Sequence, residues 1–246
     1  MITELPASER AAAESEAAAM SDDGVRVLLC DDQAYPDRLR RAPGAPPALF
    51  YRGSLKLLDT PAVGICGSRN ASPEGLRAAR ACGADAARTG VTVISGYAKG
   101  VDSESHLASL VEGGTTIAVL AEGIGQFRPK RAYRDLPQDN MLVMSQFPPG
   151  QRWNVGAAMT RNQVIVGLSH ALVVVEAGPT GGTLRAGEMA IQAGRRLLVL
   201  GFAGGDPDGN TKLLALGGHR ISDRATLTAE LRRLHSTGSG GQLVLV

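Results

Sequence analysis

The sequence predicts a doubly wound α/β domain, a mostly parallel sheet with helices on both faces, and three observations predict it. Short, continuously apolar runs of strand length recur along the chain. Stretches of helical length separate them. Three glycine-rich turns follow such runs where a strand hands over to a helix: Gly67-Ser68-Arg69, Ser95-Gly96-Tyr97-Ala98-Lys99-Gly100-Val101-Asp102, and Gly178-Pro179-Thr180-Gly181-Gly182-Thr183. A strand apolar at every position is buried on both faces, which a parallel sheet between two helical layers requires. With 246 residues, 43% hydrophobic and 20% charged, the chain supports one sizeable domain with short appendages.

Taken in order, residues 1–23 are rich in Ala, Glu and Ser without a clear apolar face and predict a flexible segment, a frayed helix or disorder. Residues 24–60 form a lead-in packing on the core. Tyr35-Pro36, Pro43, Pro46-Pro47 and Gly53 forbid a long helix there. Regular alternation begins after Pro61. Predicted strands are Ala62–Cys66, Val91–Ser95, Thr116–Leu120, Met141–Ser145, Ala171–Glu176 and Arg196–Leu200. Predicted helices are Pro73–Arg88, Ser103–Glu112, Gly156–Leu168, Leu184–Ala193, Thr211–Leu216 and Arg224–Leu234. The Rossmann-like domain so defined spans 61–235, and 236–246 reads as a flexible tail.

Glycine turns bare their N–H groups, and the helix that follows adds partial positive charge, so the three turns read as a phosphate-binding edge. Gly67, Ser68 and Arg69 suit a phosphate because a guanidinium engages two oxygens at once. A capping Ser68 beside a surface arginine is the plainer alternative. The second turn brings Gly96, Lys99 and Gly100 together with Asp102, which reads as the cap of the next helix. His106, one turn further on, reads as a structural hydrogen bonder, since no nucleophile or metal partner is evident. Gly181, Gly182 and Thr183 complete the edge. The ligand is expected to be a nucleotide or a nucleic acid.

Composition narrows the rest. Aromatic residues are 4% of the chain, so few bases could stack on rings, and a net charge of +2 requires any nucleic-acid surface to gather its charge on one face. Cys30, Cys66 and Cys82 are odd in number and lack metal spacing. They read as reduced, mostly buried thiols of a cytoplasmic protein, with no metal or cofactor expected. No apolar stretch is long enough for a membrane span.

Five phrases, in this order and spacing, resemble one family: Gly67-Ser68-Arg69-Asn70-Ala71-Ser72; Ser95 to Asp102 with His106; Gly113 to Leu120; Arg161-Asn162-Gln163-Val164-Ile165-Val166-Gly167-Leu168-Ser169; and Val174-Val175-Glu176-Ala177. Tyr35-Pro36, Leu39, Pro47, Leu49, Tyr51 and Gly53 match its lead-in. On these residues, over roughly Asp31 to Gly218, the chain is identified as a member of the DNA-processing protein A (DprA, or Smf) family. The resemblance implies a Rossmann-like domain that binds single-stranded DNA, forms homodimers and loads a RecA-type recombinase during natural transformation. By position it assigns DNA contact to Arg69 and, near a second basic contact, to Lys130. A groove edged by Arg69, Lys99, Lys130, Arg131 and Arg161, with Asn162 beside it, would hold a backbone in a salt-sensitive, sequence-tolerant way.

The chain departs from the family pattern at three places. Phe127-Arg128-Pro129-Lys130-Arg131-Ala132 stands where Tyr-Pro and a following Asn are usual; Ser145-Gln146 replaces Ser-Glu; and Thr180-Gly181-Gly182-Thr183-Leu184 replaces a Ser-Gly-Ser-Leu turn. No winged-helix segment is expected after the Rossmann-like domain, and together these departures suggest a divergent member, with transformation, genome maintenance and defence open as pathways.

Two rival readings remain. The Gly-Gly-Thr turn is also similar to that of phosphoribohydrolases resembling lysine decarboxylases, which place a Glu three residues after the Thr; here that position is Ala186, and Glu188 comes five after. An Arg161–Glu188 pair brought together by folding would revive that reading. A sensor of free nucleotides needs the same turns as a strand binder. Glu176 reads as a strand terminus bonded to a neighbouring loop. Phe127 and Tyr133, in the loop Gly123 to Asn140, are candidates for base stacking, whereas Trp153 and Phe147 read as packing or dimer features. His170 and His219 receive no role.

Overall fold

In the central strands, alternate residues of the apolar runs divide between two cores. In the computed structural model, which describes residues 6–133 and 136–238, β3 (Ala62–Cys66) turns Ala62 and Cys66 to one side and Val63 and Ile65 to the other. β7 (Ala171–Val174) divides the same way, with Leu172 and Val174 on the first side and Ala171 and Val173 on the second. The first core is closed by α2 (Asp37–Arg40), α5 (Val155–Leu168), α6 (Gly182–Gln192) and α7 (Asp208–Ala215). The second is closed by α3 (Pro73–Arg88), α4 (Val101–Val111) and α8 (Arg224–Gly238). Burying each Leu, Ile or Val of these layers contributes roughly 1.5–3 kcal/mol.

Among the described residues, nine strands form one sheet in the order β1-β2-β6-β5-β4-β3-β7-β8-β9. The others are β1 (Arg26–Leu29), β2 (Ala48–Arg52), β4 (Thr92–Ser95), β5 (Thr116–Val119), β6 (Met141–Ser145), β8 (Arg196–Leu200) and β9 (His219–Ile221). From β6 to β9 every pairing is parallel, whereas β2 lies antiparallel on β6 and β1 antiparallel on β2. This is the doubly wound, Rossmann-like sheet the sequence predicts. The chain steps outward from β3 through β4, β5 and β6 and then returns to the other flank of β3 as β7. The strand order therefore reverses between β3 and β7, where doubly wound sheets open a crevice at the strands' carboxyl ends.

The lead-in differs from its expectation, because the sequence indicates only a proline-broken segment. It adds β1 and β2 to the sheet, in the register Val27↔Phe50 and Phe50↔Ser145, with Tyr35 and Leu39 fully buried beneath. β9 was also missed: it is three residues long and two of them are exposed. The N-terminal segment forms α1 (Ala7–Asp22). Of the expected tail, 236–238 continue α8 and 239–246 lie outside the described residues. α3 and α4 pack closely enough that a Cβ on Gly83 would sit 2.2 Å from the Ser105 carbonyl oxygen. Only glycine fits that crossing.

Candidate nucleic-acid interface

The three predicted turns converge on the crevice. Gly67-Ser68-Arg69 leaves β3, the Ser95–Gly100 turn joins β4 to α4, and Gly181 precedes the first residue of α6. They line a cleft of about 400 Å³ with Asn162 of α5 and Trp153 of the loop before it. A neighbouring hollow of about 240 Å³ shares Arg69, Ala98, Trp153 and Arg161 with the cleft and adds Gly96, Lys99 and Glu122. The two adjoin as one groove.

The first two turns are locked to each other by their backbones. Gly100 has φ +82°, a left-handed conformation natural to glycine, and a Cβ there would meet the carbonyl oxygens of Ser68 and Arg69 at 2.5 and 2.7 Å. The Val101 N–H donates to the Ser68 carbonyl. Ser68 Oγ accepts from the Asn70 N–H at 3.1 Å, while the cap of α3 is Ser72, not Ser68. Glu176 accepts from the Ser72 N–H at 2.9 Å and from its hydroxyl, a strand terminus bonded to a loop as expected. Asn162 Nδ2 donates to the Gly182 carbonyl at 3.1 Å, fixing the start of α6 against α5.

The cations of the predicted groove divide by burial. Arg69, Lys99 and Arg131 are exposed. Arg161 is not at the edge: it is 5% exposed, its guanidinium donates to the carbonyls of Gly96 and Val119, both at 2.5 Å, and its Nε donates to Asn162 Oδ1. Burial and the nearby Arg69 charge pull its pKa down, while Asp102 and Glu122 oppose that shift. Lys130 is half-buried. Its Nζ donates to the carbonyls of Tyr97 (2.8 Å) and Ala98 (3.2 Å) and to Ser103 Oγ, and lies 4.3 Å from the centre of the Tyr97 ring. Burial lowers its pKa against the opposing charges of Asp102 and Glu122.

Asp102 is not the capping residue, since Gly100 precedes the first helical residue. It is the second residue of α4, buried, and accepts from the Ala98 N–H at 3.3 Å. Desolvation raises its pKa, with Arg161 and the turn's N–H groups working the other way. His106 is fully buried on the Thr116 hydroxyl, and that hydroxyl donates to the Val93 carbonyl, so His106 Nδ1 carries the proton. Burial first, then the Lys130 and Arg161 charges, push its pKa down to about 3. A ring held neutral under a turn is structural, as the sequence suggests. Cys66 and Cys82 are buried thiols with raised pKa values, Cys82 to about 12, both chiefly through desolvation.

The loop aromatics reverse their expected roles. Phe127 and Tyr133 are 7% and 3% exposed and pack on Tyr97 with ring centres 5.3 and 5.2 Å away, so neither offers a face to a base. Apolar rings in a polar loop close a third core beneath it. Trp153, read as a packing or dimer feature, is 46% exposed, and the Arg69 guanidinium lies 4.9 Å from its ring centre. Its flanking Arg152 and Asn154 were the available signal of exposure. Phe147 is half-buried.

The Arg161–Glu188 pair does not form. Glu188 lines a separate hollow with Arg185 and Gln163, while the Arg161 guanidinium is spent on the two carbonyls. Among the described residues, no group of His, Cys, Asp or Glu is arranged to hold a metal, and no helix is long and apolar enough to cross a membrane.

Residues 26–232 match the family of DNA recombination-mediator protein A. The chain belongs to that family. It is 32% identical over 203 residues to the DNA processing protein DprA of Streptococcus pneumoniae, covering 81% of this chain and 72% of that protein. It is 34% identical over 187 residues to the protein Smf of Escherichia coli, covering 74% of this chain but 49% of its relative, so it spans about half that relative's length. The X-ray structure of S. pneumoniae DprA superposes with a TM-score of 0.76 at 31% identity, covering 87% of this chain and 77% of that one. A DNA processing protein A from Helicobacter pylori, whose structure describes a single-stranded DNA binding mode, superposes with a TM-score of 0.73 over 85% of this chain and 96% of its own. At 24% identity, that likeness shows the shared fold. The DprA fold thus places Gly67-Ser68-Arg69 at the reversal point of the sheet.

Proposed function

We propose that this protein binds single-stranded DNA along the groove at the carboxyl ends of its strands and acts in DNA processing during natural transformation. It protects incoming strands and passes them to a RecA-type recombinase. The supporting observation is the exposed Arg69, on a backbone-locked turn at the junction of two adjoining hollows, in a chain of the DprA family. One nucleotide fills the first hollow; a strand continues past Arg69 and Trp153 into the second. A guanidinium and the N–H groups of glycine turns recognise phosphates without reading sequence. The recombinase contact, a homodimeric state and a cytoplasmic location are drawn from the family and the reduced thiols.

The test is fluorescence anisotropy of labelled oligo-dT at several salt concentrations, with AMP and a mixed-sequence duplex as competitors. Binding that weakens with salt and resists AMP is the expected result. Absence of strand binding, with AMP bound or hydrolysed instead, would replace this reading with nucleotide sensing or phosphoribohydrolysis.

A further inference from the structure

Trp153 is the only tryptophan in the chain and lies outside all three apolar cores. A large aromatic left 46% exposed forgoes much of its burial energy. The loop that carries it is nevertheless held firmly on both sides. The Gly123 N–H donates to the Gln151 carbonyl at 2.8 Å and the Gly125 N–H to the Pro149 carbonyl at 3.1 Å. Immediately after the ring, Asn154 caps α5 by accepting from the Ala157 N–H at 2.8 Å. The ring is therefore presented from a preorganised support and costs little further entropy on meeting a ligand.

Its neighbours sort the two parts of a nucleotide. Arg69 stands over the ring, on the side of the glycine turns, where a phosphate has N–H donors. The hollow on which Trp153 also borders is lined by Glu122 as well as Lys99, and a carboxylate there can accept from the N–H edge of a base, which a phosphate lacks. Phe127 and Tyr133 are committed to the core, and Tyr97, which also borders this hollow, is 8% exposed, which leaves Trp153 as the exposed aromatic of the groove among the described residues.

We propose that Trp153 is the base-stacking platform of this groove: one nucleobase packs on its ring in the hollow bordered by Glu122, while Arg69 holds the adjoining phosphate. This rests on the reading of the groove as a single-stranded DNA site. Stacking of this kind tolerates any base, because every base has a π face.

A single tryptophan makes the test direct. Intrinsic emission of the parent protein is followed as oligo-dT is added, beside anisotropy of a labelled strand, which reports binding independently. The expected result is quenching that tracks the anisotropy curve. Trp153→Ala is expected to weaken dT binding roughly tenfold to a hundredfold, and Trp153→Phe to keep most of it. An abasic strand of equal length should bind the parent and Trp153→Ala within about twofold of each other, since it has no base to stack. Strand binding with unchanged tryptophan emission would overturn the proposal. An equal loss on abasic and dT strands would do the same, reducing the ring to a prop for Arg69. If anisotropy shows no strand binding by the parent, the DNA reading itself fails and takes this inference with it.

Discussion

Two sets of residues around the same turn carry the same chemistry to opposite ends. Above the Ser95–Gly100 turn, Arg69 and Lys99 are exposed cations, with Trp153 as an exposed ring. Below it, Arg161 and Lys130 are cations whose N–H groups are spent on backbone carbonyls of that turn and its neighbours, and Tyr97, Phe127 and Tyr133 are rings packed on one another. A guanidinium that has given its donors to Gly96 and Val119 in a buried site braces the turn. One that lies over an indole in water still has its donors to offer. The lesson is that residue type names the chemistry available, whereas burial and prior partners decide whether a ligand or the fold receives it.

The largest effect is expected at Arg161. Replacing it with Ala orphans two buried carbonyls and removes the charge that faces buried Asp102, so the unfolding free energy in urea is expected to fall by about 3 kcal/mol or more. A loss under about 1 kcal/mol, with strand binding reduced, would move Arg161 to the ligand side.

The pH dependence of stability probes the lower set through His106. Its folded pKa, about 3, lies below the ordinary 6.5, so the unfolded chain binds a proton that the fold refuses. Stability is then complete above about pH 6.5 and is lost as pH falls from there toward 3. His170, held by Ala62 and Arg38 and pushed down to about 4, adds in the same direction. His106→Gln is expected to remove up to ~1.4 kcal/mol per pH unit of that slope in urea melts between pH 4 and 7. An unchanged slope would place the proton uptake elsewhere.

Lys130 and Arg69 sharpen the contrast as a pair. Lys130→Ala should cost about 1–2 kcal/mol of stability and leave the salt slope of strand binding unchanged. Arg69→Ala should change stability by less than ~0.5 kcal/mol, weaken all sequences alike and flatten the salt slope by about 0.7. A flatter slope in Lys130→Ala would show that its ammonium leaves the turn to meet phosphate. The smallest effect is expected at Glu188, whose replacement by Ala should leave strand affinity within about twofold; a base-releasing activity lost in that variant would reopen the enzymatic reading.

Much of this molecule was legible in one dimension. The strands from β3 to β8 announce themselves because a strand buried on both faces is apolar at most positions, and Ala62–Cys66 and Met141–Ser145 match their expected limits. The three turns were legible because a strand-to-helix handover built on glycine has a composition of its own. β1, β2 and β9 were not, since their order comes from pairing with distant strands, as in Phe50↔Ser145 and Leu198↔His219, and local sequence does not record it.

For the site, the sequence alone determined that the three glycine turns stand at one crevice: glycine turns follow buried strands, and a doubly wound sheet brings its strand ends to one edge. Only the tertiary structure decided which side chains there face outward. The depth of Arg161, the inward turn of Phe127 and Tyr133, and the exposure of Trp153 beside Arg69 depend on how α5 and the loops before it settle on the sheet. Burial belongs to the packed whole, and a residue's neighbours along the chain do not specify it.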